Sequence, residues 1–167
     1  MKTYFESLAR YNRWANRRVY AALAELSTDD IAAPRTGFFP SLLKTLNHLI
    51  VTDRIWLSRL TATPDTEAKA LDQIIAADLA DLTAQRRALD ERIIGFVHDL
   101  SPTRLGEILV YKTMAGVPHE TPINMVLAHV FNHQTHHRGQ AHGMLSGTKV
   151  PPPSLDMIVF LREETAA

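Results

Sequence analysis

Cysteine is absent from the 167-residue chain, which removes disulfides, thiolate metal ligation and a cysteine nucleophile together. An excess of either charge is also absent, since 18 Lys and Arg are balanced by 18 Asp and Glu. A nucleic-acid binder would carry a basic excess or a basic stripe. The densest basic stretch, Arg10 to Arg18, is broken by Tyr11, Trp14 and Ala15 and reads as one solvated helix face. No run approaches the ~18 consecutive apolar residues that a membrane span needs. The start of the chain, MKTYFESLARYNRWANRRVY, is charged throughout and lacks the apolar stretch of a signal peptide. These absences give the expectation of a cytoplasmic protein that engages neither nucleic acid nor membrane. What remains, 46% hydrophobic and 22% charged residues, suits one domain over residues 1–167 with a sizeable core.

Helical periodicity dominates the pattern. Phe5, Leu8, Asn12, Ala15, Val19, Ala22 and Leu26 step by threes and fours, which predicts a first helix over residues 3–26. Ser27 to Phe39 reads as a connection. Leu42, Leu46, Leu49, Ile50, Asp53, Leu57 and Leu60 then predict a second helix from Pro40 or Ser41 to Leu60. Pro64 marks a turn, and Leu71, Ile75, Leu79, Leu82, Leu89 and Ile93 extend a third helix over about residues 66–99. Ser101 to Thr121 holds two prolines and two glycines around Ile108, Leu109 and Val110. It predicts a long connection with a short hairpin of LGEILVYK against AGVPHET. Thr121 as cap and Pro122 as first helical residue open a fourth helix to about Ser146, with Gly147 as its stop. Three prolines follow, and SLDMIVFLREE forms a short terminal helix entered through its serine. The expected fold is all-α, a four-helix bundle with a long connection before the last long helix.

The chemistry-bearing signal is histidine. Five of the eight histidines fall between His129 and His142, on the fourth helix. Residues three or four apart on a helix share a face, and two imidazoles so placed can chelate one ion at Zn–N distances of ~2.0–2.1 Å. The pairs His129/His133, His133/His136 and His133/His137 all have that spacing. Val126, Val130, His133, His137, Ala141 and Met144 form one stripe, so His133 and His137 face the core, while His136 groups with solvent-facing residues. His129 stays open as a ligand or a neighbour. His48, the one histidine of the first two helices, supplies the third imidazole, and three imidazoles leave a coordination position for water or substrate. A histidine-rich surface helix is the competing reading. There is no His-Glu-x-x-His, which disfavours a metalloprotease, and no Glu-x-x-His, which disfavours a di-iron bundle.

Other polar residues sit on core stripes. Asn12 and Asp53 either hold the second nitrogen of an imidazole or pair with neighbouring helices, Asp53 with an arginine; the pairing is the commoner outcome. Asp53 and His129 are the candidates for general acid–base work. Trp56 is a candidate pocket wall, as is Tyr111, although a helical tryptophan more often just packs. Arg138 and Gln140 flank the histidines and are candidates for holding a substrate anion or a subunit interface.

RYNRWANRRVYAAL, SLLKTLNHLIVTDRIWLSRL, NHQTHHRGQ and PPPSLDMIVFLRE, in this order and spacing, resemble the DinB family along nearly the whole chain. This is the damage-inducible, metalloenzyme-like family and not the DNA polymerase of the same name. The resemblance implies a four-helix bundle of unusual connectivity, usually a homodimer. It places the metal histidines in the second-helix segment and in His-x-x-x-His-Arg-Gly-Gln, which are His48, His133 and His137 here. Zinc and nickel both occur in the wider family, and imidazole suits either. Superfamily relatives include transferases and isomerases that use low-molecular-weight thiols such as bacillithiol, mycothiol or glutathione. The function implied is a metal-dependent thiol S-transferase or hydrolase acting on a small molecule; the alternative is a non-catalytic metal-binding or stress-response protein.

Overall fold

The computed structural model describes residues 1–166. Four long helices carry it: α1 (Lys2–Leu23), α3 (Leu42–Thr61), α4 (Leu79–Asp99) and α5 (Ile123–Leu145). Between the first two lies the five-residue helix α2 (Thr28–Ala32), inside the stretch expected to be a plain connection. Ser27 starts it with a reciprocal cap: its hydroxyl accepts from the Asp30 N–H, and the Asp30 carboxylate accepts from the Ser27 N–H. Ser41 opens α3 by accepting from the Lys44 N–H (3.1 Å), and Asp78 opens α4 by accepting from the Asp81 N–H (2.9 Å).

The third long helix is shorter than its periodicity implies. Residues 66–78 keep the apolar spacing but are not helical, because side chains capture their backbone. Asp65 Oδ1 accepts from the Glu67 and Ala68 N–H groups (both 3.0 Å). Asn47, buried on α3, accepts from the N–H groups of Ile75 (2.8 Å) and Ala76 (2.9 Å) and donates to the Ala76 carbonyl (2.9 Å). A side-chain amide thus replaces the helical ladder and ties this segment down as a strap across α3.

The connection between α4 and α5 folds as the expected hairpin, with β1 (Ile108–Lys112) antiparallel to β2 (Pro118–Pro122). Thr121 does not cap α5. It pairs with Leu109 in the hairpin, and the strand runs straight into the helix, where the Ile123 N–H donates to the Glu107 carbonyl (2.9 Å). The terminal helix α6 (Met157–Ala166) likewise begins after Asp156, whose carbonyl takes the Phe160 N–H, rather than at Ser154.

Two apolar clusters divide the core by height. One gathers Leu23, Leu46, Leu49, Ile50, Leu82 and Leu145; the other gathers Phe5, Ile93, Val97, Leu127, Val130 and Phe131. Each such side chain contributes roughly 1.5–3 kcal/mol on burial. Between the clusters every long helix presents polar residues: Asn12 and Asn16 on α1, Asp53 on α3, Arg86 and Asp90 on α4, Gln134 and Arg138 on α5, all buried. The bundle therefore has a polar waist, and the histidines lie at the level of that waist on α3 and α5.

Candidate metal centre

His48, His133 and His137 each offer one ring nitrogen, and these three atoms lie within 4.8 Å of one another. His133 and His137 share a face because they are one turn apart on α5, with ring centroids 4.4 Å apart. His48 meets them from α3, which packs against α5. The Nε2 atoms of His48 and His133 are 3.2 Å apart. Two nitrogens bound to one tetrahedral ion at ~2.0–2.1 Å would be about 3.3–3.4 Å apart, so this pair already has the separation of co-ligands.

The opposite ring edges set the proton positions. His48 Nδ1 lies 2.8 Å from the Leu71 carbonyl, which only accepts, so Nδ1 carries the hydrogen and Nε2 keeps its lone pair. His137 Nδ1 stands 2.8 Å from Gln140 Oε1, with the same result. Phe39, from the loop before α3, stacks on His48 with centroids 4.1 Å apart and also borders His137 at 5.7 Å. Burial lowers the pKa of His48 and His137 from the ordinary 6.5. Burial first, and then the neighbouring rings of His137 and His48, push His133 down to about 3. The set is neutral and presents nitrogen lone pairs inward, as a divalent cation of the zinc or nickel class requires.

A cavity of ≈ 400 Å³ opens over this centre. His48 and His133 form part of its wall, joined by Ile55, Trp56, Leu71, Met114, Tyr111 and His129 among others. Trp56 meets Tyr111 edge-on (5.2 Å) and His129 edge-on (5.2 Å), which brings the hairpin against α3 and α5. The pocket roles anticipated for Trp56 and Tyr111 therefore correspond to real positions in the cavity wall. His129 lies 5.6 Å from His133, ring to ring, outside the convergent trio.

Asn12, Asp53 and Arg138 are elsewhere, and none bonds to an imidazole. Asp53 accepts from Arg86 Nη1 (2.7 Å) and from Gln134 Nε2, and is 2% exposed. A carboxylate so enclosed is held by its cation and does not reach the cavity. Asn12 donates to Asp90 (3.3 Å), and its carbonyl oxygen accepts from Arg138 Nη1 (2.6 Å). Arg138 is also buried, over the Tyr11 ring, so it presents no charge to a substrate anion or a subunit surface. Gln140 takes the position expected of Asn12 and Asp53: it orients His137 and donates to His136 (3.1 Å). Its position three residues after His137, one turn along the same face, was the available signal. Nothing in the sequence marked the Leu71 carbonyl or Phe39.

A helical bundle with three imidazoles converging from two of its rods defines the class. The sequence profile of the DinB family matches residues 1–166, and the chain belongs to that family. It is similar to the protein DinB of Bacillus subtilis (strain 168), with 26% identity over 174 residues spanning the whole of both chains. A crystal structure of a DinB-like protein from Bacillus cereus ATCC 10987 shares the fold, with a TM-score of 0.66 and 18% identity, covering 87% of this chain and 91% of that one. Among the described residues no helix is long and apolar enough to cross a membrane.

Proposed function

We propose that His48, His133 and His137 hold one divalent ion, zinc or nickel, and that the protein is a metal-dependent enzyme of the thiol S-transferase or hydrolase type. The observation that carries this reading is the wall the centre shares with an open cavity. Two of the three convergent imidazoles line a space large enough for a small molecule. A divalent ion in that place lowers the pKa of a thiol or water brought to it. The chain's own residues bind and shield: Ile55, Trp56, Leu71 and Met114 supply apolar surface, and the Leu71 carbonyl and Gln140 keep two ligand nitrogens deprotonated. His129, whose pKa burial lowers, is the side chain placed to accept a proton at the cavity wall. With no cysteine in the chain, a reacting thiol comes from outside, as a low-molecular-weight thiol.

Elemental analysis of untagged protein purified without added metal should return close to one zinc or nickel per chain. The loaded protein, offered electrophiles and ester or amide substrates with a panel of small thiols, should turn over at least one combination faster than the His133→Ala variant. Absence of metal, or no advantage over that variant across the panel, overturns the reading. The enclosure of His48 between Phe39 and the Leu71 carbonyl favours a second, non-catalytic role in which the ion only clamps α3 to α5. In that case chelation lowers the melting temperature while no turnover is found.

A further inference from the structure

Arg59 is the one guanidinium in the cavity wall, and no acidic side chain lines the cavity with it. Arg54, less than two turns earlier on α3, is bound by Asp65 (2.8 Å) and Glu67. Arg59 forms no ion pair among the described residues. Its Nη2 donates to the Lys112 carbonyl (2.8 Å), and the guanidinium carbon sits 4.7 Å from the Trp56 ring centroid and 5.0 Å from that of Tyr111. Two rings and a main-chain carbonyl thus hold the planar group in place while leaving most of its N–H donors free.

The cost of this arrangement is visible in the two pKa directions. Burial lowers Arg59, and only Tyr111 acts the other way. For Arg54 burial works in the same sense, but Asp65 and Glu67 overcome it and raise the value. A cation that is partly desolvated, rigidly presented and unpaired gains most from an anion delivered by a ligand.

We propose that Arg59 is the anchor for an anionic group, carboxylate or phosphate, at the far end of the substrate that the cavity takes. This deepens the proposed function and rests on that reading for the identity of the reacting end. Trp56, against which the guanidinium lies, is eight residues beyond His48, ~12 Å along the helix axis. The ligand is therefore elongated, with an apolar middle over Ile55 and Trp56 and its anion roughly 10 Å from the end that reaches the histidines. Arg59 binds and orients; it does not touch the reacting atoms.

The test uses the whole, untagged protein as purified, titrated by calorimetry with 6-phenylhexanoate, 6-phenylhexyl phosphate and the neutral 6-phenylhexanamide. At least one anionic probe should bind about tenfold to a hundredfold more tightly than the amide. Arg59→Gln should abolish that preference while leaving the metal content unchanged, and Arg59→Lys should restore part of it. The two anionic arms show which anion the site takes. Equal or absent binding of anion and amide overturns the proposal. So does a preference that survives in Arg59→Gln, which would assign the anion to the metal centre instead. Metal content is read separately: an Arg59-dependent preference in a protein without metal would sink the proposed function and leave this inference standing.

Discussion

His48 and Asp53 lie five residues apart on the same helix, and their surroundings are opposite. Asp53 belongs to a closed set in which Arg86 joins the Asp53 and Asp90 carboxylates, Gln134 donates to Asp53, and Asn12 and Asn16 donate to Asp90 while their carbonyl oxygens hold the Arg138 guanidinium. His48 belongs to a neutral set of three rings in which the outer nitrogens of His48 and His137 are hydrogen-bonded and one nitrogen of each ring converges on the others. The first set answers charge with charge across α3, α4 and α5, with α1 supplying two amides. The second concentrates lone pairs beside a cavity and supplies no proton or cation to meet them. Burial of polar groups alone therefore says little about function in this bundle; what separates the two clusters is whether the groups complete one another.

Breaking the closed set should have the largest effect. Asp53→Ala leaves the buried Arg86 guanidinium with Asp90 alone and Gln134 Nε2 without its acceptor, and should lower the unfolding free energy by about 3–5 kcal/mol, read by chemical denaturation. A loss below about 1 kcal/mol would show that the waist is not the structural element described here. His133→Ala should do the reverse, lowering metal affinity by more than about a hundredfold while leaving the metal-free protein's stability nearly unchanged, since it deletes a half-buried ring with no charge partner. Competition titration against a chromogenic chelator measures the first quantity and thermal unfolding of the stripped protein the second. Gln140→Leu frees His137 Nδ1 and should weaken metal binding by about 10–100-fold; unchanged affinity would mean that the ring is oriented without it.

The smallest effect is a pH dependence of the stripped protein. His133 titrates at about 3 in the fold against 6.5 as its ordinary value, so between those limits the unfolded chain takes up a proton that the folded one refuses. The stability present above pH 6.5 should fall as the pH drops from about 6.5 toward about 3, with a slope made shallow by the partial exposure of the ring. In His133→Ala the stripped protein should lose this part of the slope, and an unchanged profile would contradict the assignment.

The parts of the molecule legible in the sequence are those governed by periodicity. Spacing placed the four long helices and put His133 and His137 on one face, because a helix fixes which side chains are neighbours. The start of α4 was not legible, since the apolar register of Leu71, Ile75 and Leu79 runs on through a segment whose backbone is taken by Asn47 and Asp65, two side chains outside it. Thr121 carried the signature of a cap, yet the hairpin partner Leu109 claims it. The charges told a similar story. An apolar stripe interrupted by Asp53 is compatible with an arginine partner, but which arginine depends on the packing of α3 against α4. Arg138 and Gln140, grouped together in the sequence, part company in the fold: Gln140 holds the His137 ring and Arg138 is buried on Asn12 and Asn16, because side chains two residues apart on a helix point to different faces.

The strap of residues 66–78 carries a consequence for how the imidazoles are tuned. The group that selects the tautomer of His48 is a peptide oxygen, so no substitution at Leu71 removes it. Its presence depends on where the backbone is parked, and Asn47 does the parking through three hydrogen bonds to Ile75 and Ala76 that never approach the rings. A side chain one residue before His48 thus governs the basicity of its nitrogen through a detour of some two dozen residues of chain.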